Sequence, residues 1–336
     1  MPKVEAGFFT FFFLNLLLII VLQVISVLAG FSLSAWALGQ MYEVRGHRAV
    51  PDELILVLLT DHCIKELELS RRTPVPVEIF ENTAEKILQE GGSPIFFDPS
   101  FFPVESSRND FLKTFKDKPV FFLADMSGSE SSPLQTLIQA IKKAPSKEIY
   151  PPQGNAFINF YGPPATVPAI PLSAVIGQTD GSLSEIFKNK IIFFGLASLS
   201  YQSGQRDSNQ LVVPSSNERM FEVEFQATLL GNLLDKSWIR ELPLTFAIGA
   251  VVATAILVIV IALNFSFNIT AIVLLSLCFL ILFGGYFLFT RLFLWTAFLP
   301  LLIIIPLFTL FLKRVWKLPK KTREYSELKD RFSINR

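Results

Sequence analysis

Three short apolar runs in this chain each stop at a carboxylate. Leu59–Thr60 is followed by Asp61, Phe97 by Asp98 and Ala124 by Asp125. If the runs are parallel strands, their carboxyl ends share one edge, the edge where open α/β sheets bind ligands. Asp61, Asp98 and Asp125 would then converge on a cation or a hydroxyl-bearing small molecule. Asp is also common where a strand gives way to a turn or a helix cap, and that alternative needs no ligand. Asp61–His62–Cys63 sets three ligand types in a row, but no second pair at zinc spacing accompanies them. It reads as a strand end running into a loop, and neither a metal nor a cofactor is expected.

Signatures of catalysis are missing from the sequence. There is no Gly-x-Ser-x-Gly elbow, no His-Glu-x-x-His pair and no phosphate loop ending in Gly-Lys-Ser/Thr. The two histidines, His47 and His62, both flank expected loops, and the serines between Ser198 and Ser216 have no matched base. The expectation is a protein that is not an enzyme.

Strand and helix patterns alternate around these residues. Leu54–Leu59 is a continuous apolar run, as in a strand covered on both faces. Pro74 to Gln89 carries Val77, Phe80, Ala84, Ile87 and Leu88 on one helical side, and Gly91–Gly92 stops it. Further strands are expected at Ile95–Phe97, Val120–Leu123, Phe157–Tyr161 and Ile191–Phe194, with helical pieces at Phe111–Phe115 and Leu134–Ile141. Phe221, Phe225, Leu229 and Leu233 then recur every fourth residue, the stripe of a buried helix. The rhythm predicts an α/β domain with a mainly parallel sheet flanked by helices.

The composition, 51% hydrophobic against 18% charged, is too apolar for an ordinary soluble chain and points to a membrane protein. Leu244–Leu263, Ile269–Phe289 and Phe293–Leu312 contain no charge, and each approaches the roughly 20 residues that cross a bilayer core. A fourth stretch runs from Phe8 to about Leu33. Four transmembrane helices are therefore expected, one N-terminal and three C-terminal, the first as an uncleaved anchor. They divide the chain into an anchor (1–39), a polar block (40–242), three spans (243–312) and a basic tail (313–336). Lys313, Arg314, Lys317, Lys320 and Lys321 crowd behind the last span, and such charge marks the cytoplasmic side. The even number of spans puts both termini inside and residues 40–242 outside. The basic cluster fits a membrane anchor on anionic lipid or a docking peptide for a cytosolic partner. The formal net charge of +1 gives no ground for a nucleic-acid partner. Gly249 and Ala253 form a small-xxx-small pair on the second span that lets another helix come close, within the chain or from a partner. Cys63 lies in the block and Cys278 in a span, so no internal disulfide is expected.

Four segments then follow in order: Phe157–Pro164 (Phe-Ile-Asn-Phe-Tyr-Gly-Pro-Pro), Ile170–Gly177, Phe187–Gly195 and Phe221–Leu234. With three apolar spans behind them, they resemble the CHASE2 family of extracytoplasmic sensor domains over about Leu54 to Leu312. That family shows an Ile-x-Tyr-x-Gly-Pro segment, a Gly-Lys-Ile-Val-x-Val-Gly strand and a Gly-Val-Glu-Ile-His-Ala-Asn helix. Here Phe225–Gln226–Ala227 stands in place of Ile-His-Ala. The resemblance implies a domain displayed outside a bacterial inner membrane, with a cyclase, kinase or other output unit behind the third span. Lys313 to Arg336, about two dozen residues, is too short for one.

Two functions follow as expectations. One is a non-catalytic accessory or scaffold subunit of a larger membrane complex, associating with other membrane proteins or with itself. The alternative is a ligand-sensing receptor, binding a small molecule and signalling through a separate cytoplasmic partner.

Overall fold

Alternation of side chains along three strands builds the domain. In the computed structural model, which describes residues 13–14, 17, 33–69, 75–102, 105–123, 133–143, 149–152, 156–178, 183–197, 210–212, 219–296 and 299–314, the chain divides into two compact units. One runs from Tyr42 to Arg240, and the other is formed by the residues on either side of it.

The Tyr42–Arg240 unit opens with the end of helix α1 (Leu33–Arg45). Strand β1 (Leu54–Thr60) leads into the short helix α2 (Asp61–Glu66) and then α3 (Val77–Gln89). Strand β2 (Ile95–Phe97), helix α4 (Glu105–Thr114), strand β3 (Val120–Phe122) and helix α5 (Pro133–Lys143) follow. Next come β4 (Ala156–Phe157), β5 (Ala169–Pro171), α6 (Leu172–Gly177), α7 (Ser184–Phe187) and β6 (Ile191–Ala197). The hairpin of β7 (Gln210–Val212) and β8 (Arg219–Phe221) precedes helix α8 (Glu222–Asp235) and strand β9 (Ile239–Glu241).

Five strands form one sheet in the order β3-β2-β6-β1-β5, and every neighbouring pair is parallel. The α/β expectation holds to this level. Ile55, Val57, Leu59, Ile95, Phe97, Ile192 and Phe194 point to one face, packing on Phe80 and Ile87 of α3, Phe111 of α4, Leu172 of α6 and Phe187 of α7. Leu54, Leu56, Phe96, Ile191 and Phe193 point to the other, against Leu137 and Ile141 of α5 and Val223, Ala227, Leu230 and Leu233 of α8. Period-2 alternation thus feeds two cores rather than one core and solvent. Much of the phenylalanine excess is spent here: Phe97 stacks on Phe194 at 4.4 Å between ring centroids, and Phe96 on Phe193 at 5.0 Å.

Three local expectations need correction. Asp61–His62–Cys63 is not a loop: Thr60 caps a helix by accepting the Cys63 N–H, and the helix begins directly at the strand end. Phe157–Tyr161 is not a strand of the main sheet. Only Ala156–Phe157 joins a ladder, paired antiparallel with β9, because the groups of Asn159 are bonded to side chains instead. The fifth strand of the sheet is β5, whose prolines hide it in the sequence and whose edge position tolerates them.

In the second unit, two described helices, not four, are long and apolar enough to cross a membrane: α9 (Leu244–Asn264) and α10 (Phe267–Arg291). The first expected span, apart from 13–14, 17 and 33, lies outside the described residues. Of the last, residues 299–314 are helical, and ahead of them Phe293 turns left-handed at φ +52° and Leu294–Trp295 is extended. Val258 and Ile261 of α9, Leu274 of α10 and Ile305 pack together. Phe246, Ile256, Ile272, Phe279, Phe283 and Phe287 stay exposed, an apolar surface unlike that of a water-soluble bundle.

Candidate functional site: a buried polar seam

The sheet brings two of the three expected carboxylates to one edge. Thr60 pairs with Ala197 and Phe97 with Phe194, so Asp61 and Asp98 stand on either side of the carboxyl end of β6. Their strands lie two spacings apart, about 10 Å, and the registers set Asp61 three residues further along the strand direction than Asp98, about another 10 Å. Asp98 is 4% exposed and accepts the Ser100 N–H at 2.8 Å, capping a 3₁₀ turn over Pro99–Phe101. Asp61 opens α2. Asp125 lies outside the described residues. Among the described residues no group of three or more His, Cys, Asp or Glu is arranged to hold a metal ion. Nearby, the buried Cys63 thiol receives the Thr60 hydroxyl at 3.2 Å and the Ser173 hydroxyl at 3.5 Å. Burial pushes that thiol up, and these hydrogen bonds pull it below its ordinary value.

On the other face of the sheet the quoted motif segments meet one another. Glu224, 3% exposed, lies in the first turn of α8. Its Oε2 accepts the Ala165 N–H at 2.9 Å, and its Oε1 accepts Thr166 at 2.9 Å and Val167 at 3.2 Å. Ala165 adopts φ +66°, which turns three successive N–H groups toward one point, an anion-binding nest filled by the chain's own carboxylate. Burial raises the Glu224 pKa, and the three N–H bonds offset only part of that.

Asn159 and Tyr161 continue the seam. Asn159 donates its N–H to Asn232 Oδ1 at 2.7 Å, and Asn232 Nδ2 returns to the Asn159 carbonyl at 3.1 Å. Tyr161 donates to Asp235 Oδ2 at 3.2 Å, and the Arg48 guanidinium lies 5.1 Å from its ring centroid. Burial raises the Tyr161 and Asp235 pKa values and lowers that of Arg48. Two glycines admit these contacts. A Cβ at Gly231 would lie 2.1 Å from Tyr161 Oη, and one at Gly195 would lie 2.2 Å from Val223 Cγ1. None of these groups forms a base–nucleophile pair. The seam fixes α8 to β6 and to the 158–167 segment.

The direction of titration gives a test. Between the ordinary carboxylate range and the raised values of Glu224 and Asp235, the folded chain binds more protons than the unfolded chain. The stability from these two groups is therefore present at the acid end of that window and is lost as pH rises through it. Urea unfolding of the detergent-solubilised chain, followed by tryptophan fluorescence over a pH series, should show this slope, and Glu224→Gln should flatten it. A difference of opposite sign between the two proteins refutes the assignment.

In the second unit, Gly249 and Ala253 are exposed on α9, and a Cβ on Gly249 would meet no atom within 4 Å. Lys313 Nζ donates to Thr270 Oγ1 at 2.8 Å and to the carbonyls of Ala262 and Phe265, serving the end of α9 and the start of α10. Arg314 is exposed. Lys317, Lys320 and Lys321 lie outside the described residues.

Residues 108–263 match the CHASE2 domain. The CHASE2 match takes in the quoted segments, the whole seam from Asn159 to Asp235, and almost all of α9. It is narrower than the resemblance over Leu54 to Leu312. Strands β1 and β2, with Asp61 and Asp98, precede it, and the helix over 299–314 follows it. No curated protein and no solved structure matches the chain.

Proposed function

We propose that this chain is a non-catalytic integral membrane protein that presents a CHASE2-like sensing domain outside a bacterial inner membrane, as an accessory or scaffold subunit of a larger membrane complex. The observation that carries it is continuity. The CHASE2 match runs from the α/β unit without a break into α9, whose outer surface is apolar. Four spans, cytoplasmic termini and a lipid-anchoring basic tail complete the proposal, with Gly249 and Ala253 as the packing face for a partner helix. Extraction in mild detergent followed by native mass measurement tests it. A fixed set of co-purifying membrane proteins is the expected result, and a lone monomer or dimer counts against it.

The second reading is a receptor for a small ligand that signals through a separate cytoplasmic partner. It is favoured by Asp61 and Asp98 flanking the carboxyl end of β6. A thermal shift on adding a small molecule or divalent cation, lost in Asp98→Ala, would select it.

Placement outside the membrane has its own test. Cys63 and Cys278 are both buried, so a thiol must be added. Glu78→Cys puts one on an exposed position of α3. A membrane-impermeant maleimide should label it in intact spheroplasts, above the background of the unsubstituted chain. Labelling that appears only after lysis places the domain in the cytosol.

A further inference from the structure

Asn159 has no solvent exposure, yet its groups make five hydrogen bonds. The side-chain oxygen accepts from Arg45 Nη1, and the side-chain nitrogen donates to the Ser237 carbonyl at 2.7 Å. The backbone N–H donates to Asn232 Oδ1 at 2.7 Å. The backbone carbonyl accepts from Asn232 Nδ2 at 3.1 Å and from Arg48 Nη1 at 3.0 Å. Arg45 and Arg48 belong to the segment by which the chain comes into the α/β unit, and Asn232 and Ser237 to the segment by which it leaves. Neighbouring groups repeat the pattern. Tyr42 donates to the Ile158 carbonyl, Arg45 Nη2 to the Phe160 carbonyl, and Arg48 N–H to the Tyr161 carbonyl at 2.6 Å.

We infer that Asn159 is a positioning residue that couples the incoming segment (Tyr42–Arg48) to the outgoing segment (Asn232–Ser237), so that displacing one loosens the other. Geometry supports coupling over mere filling. A buried residue serving packing alone has no need of polar groups, whose removal from water is costly unless each is bonded. Here the acceptor of the carboxamide faces one segment and its donor faces the other. Moving Arg45 strips a bond from Oδ1, and the amide can then rotate away from the Ser237 carbonyl. The backbone of Asn159 is held by Asn232, so the effect stays local to this junction. The inference rests on contacts within one unit and is independent of which proposed role the chain plays.

Hydrogen exchange on the full chain in nanodiscs tests it, with peptides covering 42–48, 228–238 and, as a control, 77–89 in α3. Arg45→Gln, altered only on the incoming side, should speed exchange at 228–238 about tenfold, the scale of a typical coupling between sites. Asn232→Ala should speed exchange at 42–48 by a similar factor, since coupling is reciprocal. In an Asn159→Ala background, Arg45→Gln should add nothing at 228–238, and 77–89 should not change in any variant. Faster exchange at 42–48 with none at 228–238 in Arg45→Gln overturns the inference. So does an Arg45→Gln effect at 228–238 that persists undiminished without the Asn159 carboxamide. If Asn159→Ala does not fold, Asn159→Asp, which keeps an oxygen for Arg45 and loses the donor to the Ser237 carbonyl, replaces it as the background, with the same two outcomes.

Discussion

Glu224→Ala should destabilise the α/β unit by about 3 kcal/mol or more. The substitution strips the acceptor from three backbone N–H groups at once, those of Ala165, Thr166 and Val167. A buried donor left without a partner costs about 1–3 kcal/mol, and partial relaxation of the 163–167 turn recovers some of it. Against a typical total of about 5–15 kcal/mol, the loss is large. Glu224→Gln keeps one oxygen and should recover roughly half, because its amide nitrogen faces an N–H that needs an acceptor. Denaturant midpoints of the three proteins measure this. Equal midpoints for Ala and the unsubstituted chain would show that the nest needs no anion.

Gly195→Ala should cost about 3 kcal/mol, at the upper end of overpacking effects. The added Cβ would lie 2.2 Å from Val223 Cγ1, 2.3 Å from its Cβ and 2.5 Å from Cγ2. A Cβ is fixed by its own backbone, so no rotamer of Val223 relieves the contact, and β6 or α8 must shift. Val223→Ala removes two of the three clashing atoms and should return part of the loss, making the double substitution more stable than the sum of the singles. Gly231→Ala makes a comparable clash with Tyr161, whose ring is hemmed by Arg48 and Asp235. Thermal melts of the single and double variants decide between packing and backbone effects. Additivity between Gly195→Ala and Val223→Ala would remove the contact as the cause.

The strands of the sheet centre were legible because two-sided burial leaves a plain mark. Leu54–Leu59, Ile95–Phe97 and Ile191–Phe194 are uninterrupted apolar runs, and the structure places all of them between two helical layers. Helix α3 was equally plain between Pro74 and Gly91. The insertion of β6 between β1 and β2 leaves no trace in any local pattern, since both of its partners lie more than 90 residues earlier in the chain. Strand β5 was lost behind Pro168 and Pro171. The seam was only half visible. Glu224, Tyr161 and Gly195 were inside quoted segments, but their roles depend on partners far along the chain. Asn159 meets Asn232 at a separation of 73 residues and Arg45 at 114. The left-handed turn at Ala165 had no glycine to announce it. Conversely, Asp61 and Asp98 were found at one edge because strand ends are read easily.

The sharing of β1, β2 and β6 between two cores sets the kind of change this domain tolerates. Inserting or deleting one residue in β6 would invert the strand beyond that point, sending Phe193 toward α3 and Phe194 toward α8. Neither cavity is shaped for the other's side chain, and no solvent face is available to absorb the mistake. Length variation is therefore barred from the middle of the sheet and confined to the connections, where a frameshift of side chains has no meaning.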